Sequence, residues 1–307
     1  VTLAADSSLL LKAAEAAAGA QQYPAGALYV VATPIGNLAD ITLRAIHVLS
    51  LVDAVACEDT RHSAPLLRHL GLDKPLMAVH EHNEREAAEA VLARLARGER
   101  VAYISDAGTP AVSDPGAALV AAAQQAGYRT VPVPGASSAL AAVSVAGDVV
   151  GRGFVFVGFL PAKGGERAKA LQAVAARAEA QVLFEAPHRI EGLASDLAKA
   201  SGPRRVTLCR ELTKQFEGIV SCAAEELPVW LAADENRRRG EFALVLHGQA
   251  ISQDEGSASA EAILKTLLAE LPLKQAVSLA ASLSGQPRNA LYQRALAWKD
   301  GSAHTDG

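Results

Sequence analysis

Aromatic residues are scarce in this sequence. Phe, Tyr and Trp make up 4% of 307 residues, and there is a single Met. A core must therefore be built mostly from Ala, Val and Leu. The three cysteines, Cys57, Cys209 and Cys222, are odd in number and widely spaced, with no CxxC and no Cys/His metal spacing. That excludes a disulfide framework and a zinc motif, and leads us to expect reduced thiols and a cytoplasmic location. No run approaches the roughly 18 uncharged apolar residues of a membrane span. GxGxxG and GxxxxGK[ST] are both missing, so neither a dinucleotide fingerprint nor a P-loop is present. A basic excess is also missing: the net charge is −4 and the pI about 6.1. This argues against nucleic-acid binding by bulk charge alone, while leaving room for a local basic surface.

What is present is a globular composition, half apolar and one fifth charged, long enough for two domains. Residues 1–26, Ala/Gln-rich and ending in YPAG, read as an N-terminal extension, helical or frayed, in which Lys12 and Glu15 argue against a signal peptide. From residue 27 short apolar runs alternate with helical patterns. Strands are expected at Leu28–Ala32, Ala54–Cys57, Val101–Ile104 and Thr130–Val133. Helices are expected after Asp40, which could cap the first of them, and at Glu86–Arg97 and Ala117–Ala126. This rhythm predicts a mainly parallel sheet with helices on its faces over residues 27–148. Glycines 147, 151, 153 and 158 mark a hinge. A second α/β domain is expected over 149–250, with strands at Phe154–Gly158, Gln181–Glu185, Val206–Arg210 and Glu241–Leu246. Its helices are expected at Arg167–Ala178 and Ile190–Ala200. After a polar linker, residues 259–300 carry helical patterns. LKQAVSLAASLSG and PRNALYQRALAWK, with Pro287 at a helix start, form a helix-turn-helix-like pair with basic Lys274, Arg288 and Arg294.

Polar loops at the ends of these strands carry the chemistry, as expected of open α/β sheets. SDAGTPAVSDPG (105–116) follows Val101–Ile104 and is rich in Gly and Pro, which suits close backbone approach to a ligand. Asp106 and Asp114 would repel a bare phosphate. A ligand with positive charge or hydroxyls, such as a sulfonium nucleoside, suits them better. TPIGN (33–37) and PGASSA (134–139) end two other strands, and Ser137 could alternatively cap a helix. EDTR (58–61) places two carboxylates and a guanidinium at a strand end. Its structural alternative is that Asp59 and Thr60 cap the next helix while Arg61 pairs locally. In the second half, FEAPHR (184–189) brings Glu185, His188 and Arg189, and PAKGGERAK (161–169) clusters Lys163, Arg167 and Lys169. Lys163, Arg167 and Arg189 are candidate RNA-phosphate contacts. Arg237–Arg239 reads as a solvated loop with RNA contact as the alternative. HEHNER puts His80 and His82 on one face, but no third ligand has metal spacing, so no metal is expected.

Taken together, TPIGNLADITLRA, EDTR, SDAGTPAVSDPG, PGASSA, FVGFLPAKGGER, FEAPHRI, REL-TK and GEF-LV occur in the order of a known family. Across residues 27–248 the sequence resembles the ribosomal RNA small subunit methyltransferase I family, of the tetrapyrrole-methylase-like superfamily, and the C-terminal helices resemble that family's small appendage. The resemblance implies two α/β domains with S-adenosylmethionine in the cleft between them, and a homodimer. The implied reaction is methylation of the ribose 2′-hydroxyl of a cytidine in the decoding region of 16S ribosomal RNA. By motif position it implies cofactor contacts from Pro34, Ser105, Asp106, Ala107, Ser137, Ser138, Phe184 and Glu185. A ribose hydroxyl is a weak nucleophile and calls for a base. Glu58 and Asp106 are the candidates, with Arg61 on the adjacent phosphate. The alternatives are a superfamily enzyme acting on a tetrapyrrole or other small molecule, and a non-catalytic RNA-binding module.

Overall fold

The computed structural model describes residues 7–80, 83–113, 115–151, 153–250 and 253–302, with side chains excluded for 253–259 and 299–302. One compact unit ends at Gly248 and a second begins at Gln249.

The first half of the larger unit runs α1 (Ser7–Ala18), β1 (Ala27–Val31), α2 (Leu43–Leu51), β2 (Ala54–Cys57), α3 (Thr60–His69), β3 (Leu76–Ala78), α4 (Glu84–Ala96), β4 (Val101–Ile104), α5 (Ala117–Gln125), β5 (Arg129–Val133) and α6 (Ser138–Ala146). Its strands form one parallel sheet in the order β3-β2-β4-β1-β5, as the sequence rhythm predicts. Every residue of β2 and β4 is buried, which is why AVAC and VAYI read as unbroken apolar runs rather than alternating ones. The helical reading of the N-terminal extension holds: α1 packs on α2, and Ala14 joins the core of Tyr29, Ile46, Leu49 and Val55. One expectation is corrected: Asp40 does not cap α2. Thr42 does, its hydroxyl accepting from the Ala45 amide at 3.1 Å, while Asp40 ends a short 3₁₀ turn.

The second half contains β6 (Phe154–Phe159), α7 (Gly164–Ala176), β7 (Ala180–Glu185), α8 (Ile190–Ser201), β8 (Arg205–Arg210), β9 (Gly218–Ala223), α9 (Leu227–Ala232) and β10 (Phe242–Leu246). It is an α/β unit, but its sheet, β6-β7-β10-β8-β9, is mixed: only β6 and β7 pair parallel. β8 and β9 form a hairpin whose loop holds Glu211 and Thr213 at positive φ. The chain enters and leaves this half beside Asp148. Its carboxylate accepts from the amides of Val150 and Gly151, each at 3.0 Å, and of Gly248 at 2.7 Å. Burial pushes this carboxyl up, but the three amides outweigh it and hold it below its ordinary value.

The smaller unit is three helices, α10 (Gln253–Glu270), α11 (Leu273–Ser284) and α12 (Arg288–Ser302), around Leu264, Val277, Ala280 and Leu291. Gly285 ends α11 at φ +67°, giving the tight turn the sequence predicts between α11 and α12. Arg294 pairs with Glu261 at 2.7 Å, so this basic residue serves the packing of the unit. No helix among the described residues is long and apolar enough to cross a membrane.

Candidate active site

Because the first sheet is parallel, the loops after β1, β2, β4 and β5 leave from one edge. The loop after β4 ties the other three together. Thr33 and Gly108 exchange backbone hydrogen bonds at 2.9 and 3.1 Å, and the Thr33 hydroxyl donates to the Ser105 carbonyl. Gly108 has φ +82°, which suits the residue glycine. The Thr109 hydroxyl donates to the Ala136 carbonyl at 3.2 Å. The pairing of Cys57 with Ile104 sets Asp59 beside Asp106, and the Asp59 amide donates to Asp106 Oδ1 at 3.2 Å.

Two adjoining hollows lie over this edge. One is a cavity of about 320 Å³ lined mainly by apolar groups, including Ile35, Ala107, Phe159, Phe184, Leu212 and Phe242, with Ser113 and Ser138. Phe184 stands edge-on to Phe156 and Phe159, with ring centroids 5.1 and 5.8 Å apart. Cys209 lies on the wall, and burial pushes its thiol up to about 12. The other is a polar chamber of about 350 Å³ that includes Thr33, Pro34, Gly36, His62, Asp106, Lys214 and Glu241. Ile35, Ala107 and Glu241 line both, so the hollows share a wall.

Lys214 comes from the second half and lies across the first. Its stem covers Gly36 (φ +151°) so closely that a Cβ there would collide with it. Its ammonium pairs with Glu211 at 3.0 Å and Glu241 at 3.1 Å. Burial pulls this ammonium down, but the two carboxylates outweigh it and the net shift is upward. Among the described residues, the non-glycine positions at positive φ are Ala111, Glu211 and Thr213. All three sit in the two loops that border the hollows, which is where backbone strain tends to collect.

The structure sorts the candidates. Pro34, Ser105, Asp106 and Ala107 line the polar chamber, and Ala107, Ser138, Phe184 and Glu185 line the apolar cavity. Ser137 caps α6, as its structural alternative has it, and lines neither hollow. Glu185 offers the cavity only its main chain. Its side chain is fully buried, 3.1 Å from Arg189 Nε and 3.8 Å from Arg167 Nη1. Glu58 and Arg61 line neither hollow. Arg61 is clamped on Asp59 while Asp59 caps α3, as the structural alternative for EDTR has it. The Arg61 clamp holds the Asp59 carboxyl down to about 2.

Two of the three candidate RNA contacts are also engaged internally. Arg189 donates to the Leu160 carbonyl at 2.6 Å, and Arg167 bonds Asp196 at 2.9 Å and the Pro161 carbonyl at 3.1 Å. A buried carboxylate at Glu185 requires countercharge, and these guanidinium groups supply it. Lys163 is exposed at the start of α7. Arg237 stacks on Trp230 and Arg238 pairs with Glu191, so the arginine run is tied down locally. Asp114 and His82 lie outside the described residues. Among those residues, no group of three His, Cys, Asp or Glu side chains could hold a metal ion. The sequence reading did not single out His62, Lys214, Glu211 or Glu241. The signals were a histidine directly after EDTR, and the spaced REL-TK and GEF segments.

Comparison with known proteins follows from this geometry. Residues 27–228 match the family model of tetrapyrrole (corrin/porphyrin) methylases, and residues 254–299 match that of the RsmI C-terminal HTH domain. The chain is 52% identical over 275 residues to a Pseudomonas aeruginosa protein named ribosomal RNA small subunit methyltransferase I, covering 89% of this chain and 97% of that one. A Neisseria meningitidis protein of the same name is 50% identical over 276 residues, covering 90% and 94%. Among solved structures, uroporphyrin-III C-methyltransferase from Thermus thermophilus in complex with S-adenosylhomocysteine is similar in fold. The TM-score is 0.51 at 21% identity, over 71% of this chain and 96% of that one.

Proposed function

The chain belongs to the ribosomal RNA small subunit methyltransferase I family, within the tetrapyrrole methylases, and on that premise we propose that it methylates the ribose 2′-hydroxyl of a cytidine in the decoding region of 16S ribosomal RNA, with S-adenosylmethionine as donor. The observation that carries the reading is the pair of adjoining hollows: an apolar, aromatic-walled cavity that shares Ile35, Ala107 and Glu241 with a charged chamber.

The cavity fits an adenosyl group. At about 320 Å³ it lies within the usual range of ligand pockets, roughly 300–1,000 Å³. Phe159 and Phe184 offer apolar faces, and the Ser138 hydroxyl and the Ala107 backbone offer polar contacts. When bound, S-adenosylmethionine supplies a methyl group on a positively charged sulfur. The protein's task is then to bring an oxygen nucleophile in line with that carbon, and alignment alone can supply much of the rate. The strand-end hydrogen bonds that fix the β4 loop against its three neighbours hold the floor of both hollows in one position. The Asp106 carboxylate suits a cationic ligand and the hydroxyls of a ribose, and Lys214, held between Glu211 and Glu241, is the cation lining the chamber.

A homodimer and a cytoplasmic location are part of the same reading; the three cysteines are free thiols. Calorimetry with S-adenosylmethionine tests the cavity. Transfer of a labelled methyl group to naked 16S RNA, to small subunits and to a porphyrinoid tests the acceptor, and mass-spectrometric mapping locates the product. Labelling of the porphyrinoid alone would overturn the assignment. Sedimentation measures the oligomeric state.

A further inference from the structure

We propose that His62 is the general base that takes the proton from the acceptor hydroxyl, and that Asp106 acts through it as a positioning residue. The proposal rests on the function given above and adds the residue that reading lacks.

The geometry starts from sheet register. β2 and β4 are neighbours, paired at Cys57 and Ile104, so the loops that follow them run side by side. Asp59 caps α3, and the first turn of that helix swings the His62 ring over the β4 loop. Its Nδ1 lies 3.1 Å from Asp106 Oδ2 and 3.6 Å from Asp59 Oδ2. Asp59 is already spoken for by the α3 cap and the Arg61 clamp. Asp106 Oδ1 takes the Asp59 amide, leaving Oδ2 for the imidazole.

Two carboxylates facing Nδ1, the nearer at 3.1 Å, favour the ring proton on that nitrogen. The lone pair of a neutral ring is then on Nε2. This is the logic by which an aspartate fixes a histidine's tautomer and orientation in hydrolase triads. Both His62 and Asp106 line the polar chamber. The His62 side chain is 68% exposed, so an incoming nucleotide can reach it. Among the described residues, Lys214 and Glu241 line the same chamber, Arg61 lies on the ring's own helix, and Asp59 and Asp106 face the ring. Of the carboxylates first considered as bases, Glu58 lines neither hollow, and Asp106 takes the Asp59 amide on Oδ1 and has the His62 ring 3.1 Å from Oδ2.

In the step, the ribose O2′ forms a bond to the methyl carbon as its proton passes to Nε2 of His62. The carbon–sulfur bond breaks and leaves its electron pair on sulfur. One positive charge is lost at the sulfonium and one is gained at the imidazolium, where Asp106 stabilises it.

The test uses the full chain with S-adenosylmethionine and small subunits or 16S RNA, whichever the wild type methylates. His62→Ala is expected to lower single-turnover methyl transfer by about 10²–10⁴-fold. KM for RNA and Kd for S-adenosylmethionine should stay within about twofold, as expected of a group acting in the transition state. The variant should lose the limb of the pH–rate profile that reports deprotonation of a base, and added imidazole should restore part of the rate. Nitrogen-15 NMR of the free protein gives a readout independent of activity. Wild-type His62 should be protonated at Nδ1 when neutral, and Asp106→Asn should mix the tautomers. An unchanged rate and pH profile in His62→Ala, with folding verified by thermal unfolding, overturns the proposal. So does an Nε2-protonated ring in the wild type. A wild-type chain that binds S-adenosylmethionine but methylates no RNA refutes the proposed function instead; the NMR result then decides whether the His62–Asp106 pair exists as described.

Discussion

Replacing Arg189 with Met separates two meanings of one feature, an arginine after a strand end. As a phosphate contact, Arg189 would leave the fold unchanged when lost. In the structure it faces Glu185, whose side chain is fully buried, at 3.1 Å, and it donates to the Leu160 carbonyl. Breaking a buried ion pair from one side costs ~3–5 kcal/mol, because the remaining charge is left uncompensated. Here Arg167 remains 3.8 Å from the other carboxylate oxygen, and Arg189 is itself about a quarter exposed. A loss of ~2–3 kcal/mol follows, a large share of a total stability of ~5–15 kcal/mol. Met keeps most of the stem, so the loss reports the charge rather than packing. Urea unfolding should show a lower midpoint with an unchanged slope, and Tm should fall by roughly 4–12 °C. The double variant Glu185→Gln/Arg189→Met should cost less than the sum of its singles, since each change removes the reason for the other. Stability within ~0.5 kcal/mol of the parent, joined to weaker RNA binding and a salt dependence shallower by about one counterion, would refute this reasoning and return Arg189 to the RNA.

Phe184→Ala removes an apolar wall and two edge-on ring contacts, and should raise the Kd for S-adenosylmethionine about tenfold, ~1.4 kcal/mol, by calorimetry. Gly36→Ala should displace the Lys214 stem and lower methyl transfer more than it lowers cofactor binding; equal losses in both would count against a role for Lys214 at the acceptor side. Asp59 is held down to about 2, below its unfolded value, so its contribution is present above the ordinary carboxylate range and lost as pH falls through about 2. Unfolding between pH 5 and 2 should therefore be less steep with pH in Asp59→Asn than in the parent. Cys209 is raised to about 12, so its thiol favours the fold below pH 9 and this contribution fades as pH rises towards 12. Iodoacetamide at pH 8 should leave Cys209 unmodified in the folded chain and label it only on unfolding.

Elements whose pattern is local were legible. β2 and β4 are unbroken apolar runs, and α4 and α5 end within one residue of where they were expected, just before Gly98 and Gly127. β3 was missed because three half-exposed residues carry no period. β9 was missed as a strand, and the antiparallel pairing around β10 was not foreseen, since strand direction is a property of partners far apart in the chain. The same physics divides the site. The loops could be located because each is a local cluster of Gly, Pro, Ser and Asp. Which of their side chains meet could not be read, because Asp59 and Asp106 are 47 positions apart and only register makes them neighbours. Arg167 and Arg189 looked available for RNA because nothing local announces that Glu185 would be buried. Ser137 and the Asp59–Arg61 pair went to capping, the alternative their residue types always carried.

The three amide bonds gathered by Asp148 have a meaning for how this protein can be taken apart. Val150 and Gly151 open the second half and Gly248 closes it, yet one carboxylate holds all three. About a hundred residues thus leave and return through a single doorway. Segments with adjoining ends are the ones that circular permutation and insertion tolerate. The second half is therefore a cassette: its outer ends can be joined by a short bridge, new termini opened in an exposed loop, and its sheet still close. Exchanging that cassette between methylases would keep the His62–Asp106 pair and replace the wall that Phe159, Phe184 and Phe242 give the apolar cavity, together with the Lys214 and Glu241 that face the polar chamber.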